Sequence, residues 1–250
     1  MNRDPKQERE SADRSQVKAI VFDVFGTVVD WRSSIINEIS AVGERLQVSG
    51  DWGNFADEWR GGYHDGVKSV LNKKRDWVKA DAMHMERLRA LMKEHDLTGR
   101  LSEEETVHLN KAWRRLTPWP DSAEGLTRLK KKFIIGTLSN GNTAILVNMA
   151  KNAKLPWDII LGGENFRSYK PDPKVYLGVA DLLGLETHEV MVVAAHLTDL
   201  NNARKHGLKT GFVARPDEYG NSGVKADLTA NTGIDIEAAD FIDLARKMGA

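Results

Sequence analysis

The residues able to do chemistry in this chain cluster where short apolar runs end. Ala19, Ile20, Val21 and Phe22 form one such run, which delivers a single carboxylate, Asp23, with Gly26 and Thr27 close behind. Open α/β sheets carry their reactive groups at the carboxyl ends of strands of this kind. A carboxylate held there can attack a substrate covalently; its bland role is to cap a helix. A second run, FIIGTL, ends in Ser139, Asn140, Gly141 and Asn142. Hydroxyl and amide donors at that point suit a small carboxylate, although Ser-Asn-Gly is also an ordinary turn. A third run, Val190 to Ala195, ends in His196, with Asp199 three positions on. Arg60, directly after Trp59, offers an always-charged, weakly hydrated guanidinium, which suits a small anion. Lys170 stands between Tyr169 and Pro171.

The pattern around these residues predicts how they are positioned. After Trp31 the apolar spacing becomes helical, with Ser33 and Ser34 as cap candidates and Ile35, Ile39, Val42 and Leu46 on one face. Phe55, Trp59 and Tyr63 mark a second helix, which Gly61 and Gly62 should weaken. Met85, Leu88 and Met92 mark a third, and Leu109, Trp113 and Leu116 a fourth. No strand is expected between Trp31 and Thr117. From Pro118 strands and helices alternate, with strands at FIIGTL, 158–161, 190–195 and 211–214. Helices are expected after Pro173, at 199–206 and at 241–248. The expected fold is therefore α/β: a doubly wound parallel sheet formed by residues 17–31 and 118–250, with an all-helical cap at 32–117. Residues 1–16 form a polar leader, expected to be disordered. Trp59, Trp77, Trp113, Trp119 and Trp157 read as core anchors, and His84, His95 and His108 as residues of polar helix faces.

Composition narrows the function. Among 250 residues, 41% are hydrophobic and 29% charged, as in ordinary globular proteins. Lys plus Arg and Asp plus Glu both number 36, so no basic excess favours nucleic acid or an anionic membrane. The absence of Cys excludes disulfides, thiolate metal sites and Cys nucleophiles. No apolar run approaches the roughly 18 residues that span a bilayer, and no signal-peptide pattern is present, so a cytoplasmic location is the expectation.

Taken together and in order, KAIVFDVFGTVVDW, Ser139-Asn140, the Lys-Pro-Asp at Lys170 and the His196–Asp199 stretch resemble the four motifs of the haloacid dehalogenase superfamily. The match to its type II 2-haloacid dehalogenase branch covers Lys18 onward. The resemblance implies a Rossmann-like core and a helical cap. It makes Asp23 the nucleophile, pairs Lys170 with it, and assigns Ser139 to the substrate anion and Tyr176 to the substrate carboxylate. It has Arg60 receive the departing halide or hold the carboxylate, has Asn140 help the halide leave, and has Asp199 orient Lys170 or the hydrolytic water. His196, where many relatives carry Asn, would donate a hydrogen bond or position water, and Thr27 would stabilise an oxyanion.

Phosphatases of the superfamily carry a second Asp where this chain has Phe25. That acid protonates an alkoxide leaving group, and a halide needs no such proton. With Phe25 there and only Asp199 near the last motif, too few hard oxygen ligands remain for Mg²⁺. The expectation is thus a metal- and cofactor-free hydrolase converting 2-haloalkanoic acids to 2-hydroxy acids through an aspartyl ester. Its partners would be the small acid and halide, and the resemblance suggests a homodimer. Two other functions fit the fold: a phosphatase acting on small esters, and a non-catalytic small-acid-binding protein.

Overall fold

The computed structural model describes residues 16–250; the leader expected at 1–16 lies, but for Gln16, outside them. Strand β1 (Ala19–Phe22) is buried on both faces, which its unbroken apolar run requires. It is the centre of a six-stranded parallel sheet with β4 (Ile134–Ser139), β5 (Ile159–Gly162), β6 (Val190–Ala194), β7 (Lys209–Val213) and β8 (Ile236–Ala238). The spatial order is β5-β4-β1-β6-β7-β8. In register, Phe22 lies between Thr137 of β4 and Val193 of β6, and the Asp23 N–H donates to the Val193 carbonyl at 2.9 Å. The strand order reverses at β1, so Asp23 sits at the mouth of the crevice where parallel sheets bind ligands.

The chain leaves and re-enters the sheet region through a short antiparallel ribbon. Val29–Asp30 (β2) pairs with Thr117–Pro118 (β3). The elements between are all helices: α1 (Trp31–Leu46), α2 (Trp52–Leu71), α3 (Ala80–Glu94), α4 (Glu103–Asn110) and a 3-10 turn at Lys111–Arg114. The start of α1 differs from expectation. Asp30, not a serine, caps it by accepting the Ser33 N–H, while the Ser34 hydroxyl donates back to the Asp30 carbonyl. Nor do Gly61 and Gly62 weaken α2, which runs unbroken; a Cβ at Gly62 would lie 2.4 Å from Arg87 Cγ, so glycine lets α3 approach closely.

Returning to the sheet, the chain forms α5 (Ser122–Leu129), α6 (Thr143–Ala153), a short α7 (Gly163–Phe166), α8 (Pro173–Leu183), α9 (Leu197–Lys205) and α10 (Phe241–Met248). These flank the sheet on both faces, and Asp172 with Pro173 starts α8 as the sequence indicates. β8, α7 and the ribbon strands β2 and β3 went unread in the sequence.

One aromatic cluster joins the helical insert to the sheet region. Trp113 is fully buried, stacks on Trp31 at 6.1 Å and His84 at 4.2 Å, and meets Trp59 and Phe25 edge-on. Truncating such a side chain to Ala costs roughly 3–5 kcal/mol. His84 is thus a core residue, with no exposed surface. Burial depresses its pKa, and a neutral ring stacked on indole replaces the polar-face residue its neighbours suggest. A polar latch lies apart from this cluster. The Asn142 amide exchanges two 3.0 Å hydrogen bonds with Asp81 of α3, and Arg114 clamps the same carboxylate at 2.7 Å.

Candidate active site

Asp23 is 7% exposed, and both its carboxylate oxygens accept hydrogen bonds. Oδ1 takes the Lys170 ammonium at 2.9 Å. Oδ2 takes the Thr27 hydroxyl at 2.9 Å and faces His196 Nδ1 at 3.1 Å. Burial alone would raise the carboxyl pKa, but the Lys170 charge and the His196 hydrogen bond hold it well below the usual range. The group is therefore ionised and fixed, as a nucleophile must be.

Lys170 bridges to a second carboxylate, Asp199 Oδ2, and the Tyr176 hydroxyl donates to Asp199 Oδ1 at 2.7 Å. Burial would discharge the ammonium, yet Asp199 and Asp23 together raise its pKa. Asn140 fixes the backbone of this lysine: its Oδ1 accepts the Lys170 N–H at 2.7 Å and its Nδ2 donates to the Lys170 carbonyl at 3.3 Å. All four oxygens of Asp23 and Asp199 thus have protein donors, and Phe25 supplies none, so this donor set does not fit Mg²⁺. Among the described residues no group of three or more His, Asp or Glu side chains has metal-site spacing.

On the other side of Asp23, His196 stands between two carboxylates. Its Nε2 lies 2.9 Å from Glu218 Oε2, and Glu218 is only 3% exposed and also accepts the Trp31 indole N–H at 3.2 Å. Burial works against a charged imidazole here. Hydrogen bonds to Asp23 and Glu218, with their charges, outweigh it and raise its pKa to about 10. Gly26 makes room: its φ is +89°, and a Cβ there would lie 2.0 Å from Glu218 Oε1. Arg215 braces the same loop, donating to the Thr27 carbonyl at 2.9 Å while it forks onto Asp121 at 2.7 and 2.8 Å.

A pocket of about 440 Å³ opens over Asp23. Arg60 and Tyr63 of α2 line it together with Lys170, and Phe25 and Trp31 add apolar surface. The Arg60 guanidinium lies 4.8 Å over the Phe25 ring, 5.4 Å over Trp31 and 5.2 Å over Tyr63. Its Nη1 and the Tyr63 hydroxyl are buried without a protein partner among the described residues.

Of the residues singled out in the sequence, Asp23, Phe25, Arg60, Asn140, Lys170, Tyr176, His196 and Asp199 meet at this pocket. Ser139 does not. It is fully buried and its hydroxyl accepts the Gly141 N–H at 3.1 Å, which shapes the turn. Thr27 lies beneath the pocket, its proton on Asp23 and its lone pair on the Ala195 N–H, so it holds Asp23 where an oxyanion contact was expected. Tyr176 donates to Asp199 and Asn140 holds the Lys170 backbone, and both also line the pocket to which the sequence assigns their contacts with substrate carboxylate and halide. Glu218, Tyr63, Trp31 and Arg215 escaped the sequence reading. The signal for Glu218 was its place in the polar stretch that follows β7, at the same carboxyl edge as the other strand ends.

Similarity to known proteins agrees with this geometry. A family model for haloacid dehalogenase-like hydrolases matches residues 17–207. The (S)-2-haloacid dehalogenase 4A of Burkholderia cepacia is 30% identical over 213 residues, covering 81% of this chain and 87% of that protein. The crystal structure of a defluorinating L-2-haloacid dehalogenase superposes with a TM-score of 0.88 at 44% identity, covering 94% of this chain and 96% of that one. A further L-2-haloacid dehalogenase structure gives 0.86 at 43% identity, over 93% and 99% of the two chains. The chain belongs to the haloacid dehalogenase-like hydrolase family.

Proposed function

We propose that this chain is a hydrolytic 2-haloacid dehalogenase that turns 2-haloalkanoic acids into 2-hydroxy acids through an ester on Asp23. The observation that carries the proposal is an ionised, donor-saturated Asp23 sharing a pocket with the Arg60 guanidinium, whose Nη1 is buried without a partner, and with Phe25 where a leaving-group acid would stand. The Asp23 carboxylate displaces halide from the α-carbon in one step, which inverts configuration. The halide leaves toward Arg60 Nη1 and the Tyr63 hydroxyl, buried donors with nothing else to bind. Water then attacks the aspartyl carbonyl carbon, and the 2-hydroxy acid departs with an Asp23 oxygen. Residues 32–117 act as the cap that brings Arg60 to the core, and 17–31 with 118–250 as the core. Relatives acting on (S)- or L-2-haloacids support a preference for that enantiomer, and the defluorinating relative makes fluoroacetate a substrate to assay.

Halide release from fluoro-, chloro- and bromoacetate and from both 2-chloropropionate enantiomers tests this directly. Metal-free turnover of the (S) enantiomer is expected. Mg²⁺-dependent p-nitrophenyl phosphate hydrolysis without halide release would replace the reading with a phosphatase. Binding of 2-haloacids without any turnover would leave a small-acid-binding protein. One turnover in ¹⁸O water should label Asp23 first, and label passing straight into product would refute the ester. No helix of the described residues is long and apolar enough to cross a membrane. We take the protein to act in the cytoplasm as a homodimer, which fractionation and light scattering can check.

A further inference from the structure

The Lys170 ammonium reaches two carboxylates at once, Asp23 at 2.9 Å and Asp199 beside it. It can do so only while its backbone stays in place, because a shift of a fraction of an ångström trades one acid for the other. We propose that Tyr169 is a positioning residue for Lys170, and that it takes its own place from the helical insert through the Val78 carbonyl; this rests on the reading of Asp23 as the alkylated group.

The backbone around Lys170 is held from three directions. Asn140 binds both of its polar groups, accepting the N–H at 2.7 Å and donating to the carbonyl at 3.3 Å. Beyond it, the Asp172 N–H donates to the Tyr169 carbonyl at 2.9 Å, and Asp172 in turn caps α8. Before it, Tyr169 is buried, and its hydroxyl donates to the Val78 carbonyl. Burial raises the Tyr169 pKa, so the hydroxyl remains a donor. Val78 lies in the link between α2, which carries Arg60, and α3. The residue next to the lysine is thus tied to the segment next to the guanidinium.

The ring is gripped as well as the hydroxyl. Trp77 lies 6.2 Å away at an interplanar angle of 22°, and the Arg167 guanidinium sits 4.6 Å over the Trp77 ring. Gly163 makes room for Tyr169, since a Cβ there would lie 2.9 Å from its ring carbons. The neighbouring contacts run along the same link. Lys79 pairs with Glu164 at 2.5 Å, and Glu164 accepts the Thr143 N–H at 3.0 Å. Asp81 meets the Asn142 amide. Residues 77–81 therefore bind the turn after β4 and the stretch after β5. These are the two segments that carry Asn140 and Tyr169, the side chain that clasps the Lys170 backbone and the residue that precedes it.

The test is the rate of halide release from (S)-2-chloropropionate in single turnovers with enzyme in excess. It is measured on wild type, Tyr169→Phe, Lys170→Met and the double variant. Tyr169→Phe keeps the ring against Trp77 and removes only the hydroxyl. Its rate should fall about 10-fold, inside the roughly 10²-fold that a misplaced catalytic group can cost. Lys170→Met should lose about 10³-fold, and the double variant should lose no more than that, because the hydroxyl then has no lysine to place. A hydroxyl that only steadied the insert around Arg60 would multiply with Lys170→Met to about 10⁴-fold, and that result overturns the proposal. If Lys170→Met does not fold, Lys170→Arg takes its place: a double variant no slower than Lys170→Arg supports the proposal, and a multiplied loss overturns it. Wild type that releases halide while Tyr169→Phe matches its rate refutes the positioning role alone. Wild type that releases no halide removes the dehalogenase reading itself, and the positioning role with it.

Discussion

Asp23 is gripped from two sides, and the grips are of different kinds. On one side Lys170, Asp199 and Tyr176 form a closed chain in which each polar atom next to Asp23 already has a partner. Its charge is permanent, because the two carboxylates raise the ammonium pKa. On the other side His196 and Glu218 form a chain whose charge depends on Asp23 itself. The first arrangement suits the alkylation step, which needs an anion held still. The second sets a titratable ring, shared with a buried carboxylate, against the same anion.

The comparison can be broken most severely at Lys170. Lys170→Met would remove the cation shared by Asp23 and Asp199, leaving Asp199 with the Tyr176 hydroxyl and no counter-charge, and uncompensated buried charge is strongly destabilising. Halide release should fall by about 10³-fold, with the burst itself lost, and the melting temperature should drop. Quenched-flow kinetics and calorimetry check both, and a burst that survives would show that the ammonium is dispensable to alkylation.

A milder cut sharpens the contrast. Tyr176→Phe removes one hydrogen bond to Asp199 and leaves the ion pairs in place. Losing a hydrogen bond to a charged acceptor costs roughly 1.5–3 kcal/mol. The expected outcome is a drop in stability of that order and a kcat lowered about 10-fold or less, with no trapped ester. Ester accumulation in this variant would mean that the Lys170 side also serves hydrolysis.

The smallest effect is thermodynamic. The His196 pKa is raised from 6.5 to about 10 in the folded protein. A raised pKa contributes stability that is complete below the unfolded value and fades as pH climbs through the folded one. The melting-temperature advantage of wild type over His196→Asn should therefore be largest near pH 6 and shrink toward pH 10. An advantage that grows with pH would mean that the ring is neutral between its two acids.

The two grips also differ in how far the sequence reveals them. Lys170 and Asp199 follow strands or turns with a recognisable local pattern, and the central strand could be read from Ala19–Phe22 alone. Glu218 lies in Arg215-Pro-Asp-Glu-Tyr-Gly, which reads as a solvated loop because nothing local shows that it folds back over β1. His84 misled for a related reason: its helix neighbours are mixed, and its burial comes from Tyr63 and Trp113 on other segments. Strand β8 has three residues at the edge of the sheet, too few to show a period against the polar stretch before it. Thr27 and Ser139 were identified by type and place, yet their hydroxyls are spent on backbone and on Asp23, a division that only three-dimensional hydrogen bonding decides.

The missing side chain at position 26 has a consequence for inheritance. A methyl group there would occupy the space of the Glu218 carboxylate, 192 positions away in the chain (218 minus 26). The two sites are therefore coupled through the place of that carboxylate. A descendant that gains a larger residue at position 26 must both strain the backbone at φ +89° and push the distant carboxylate off its present place against the imidazole.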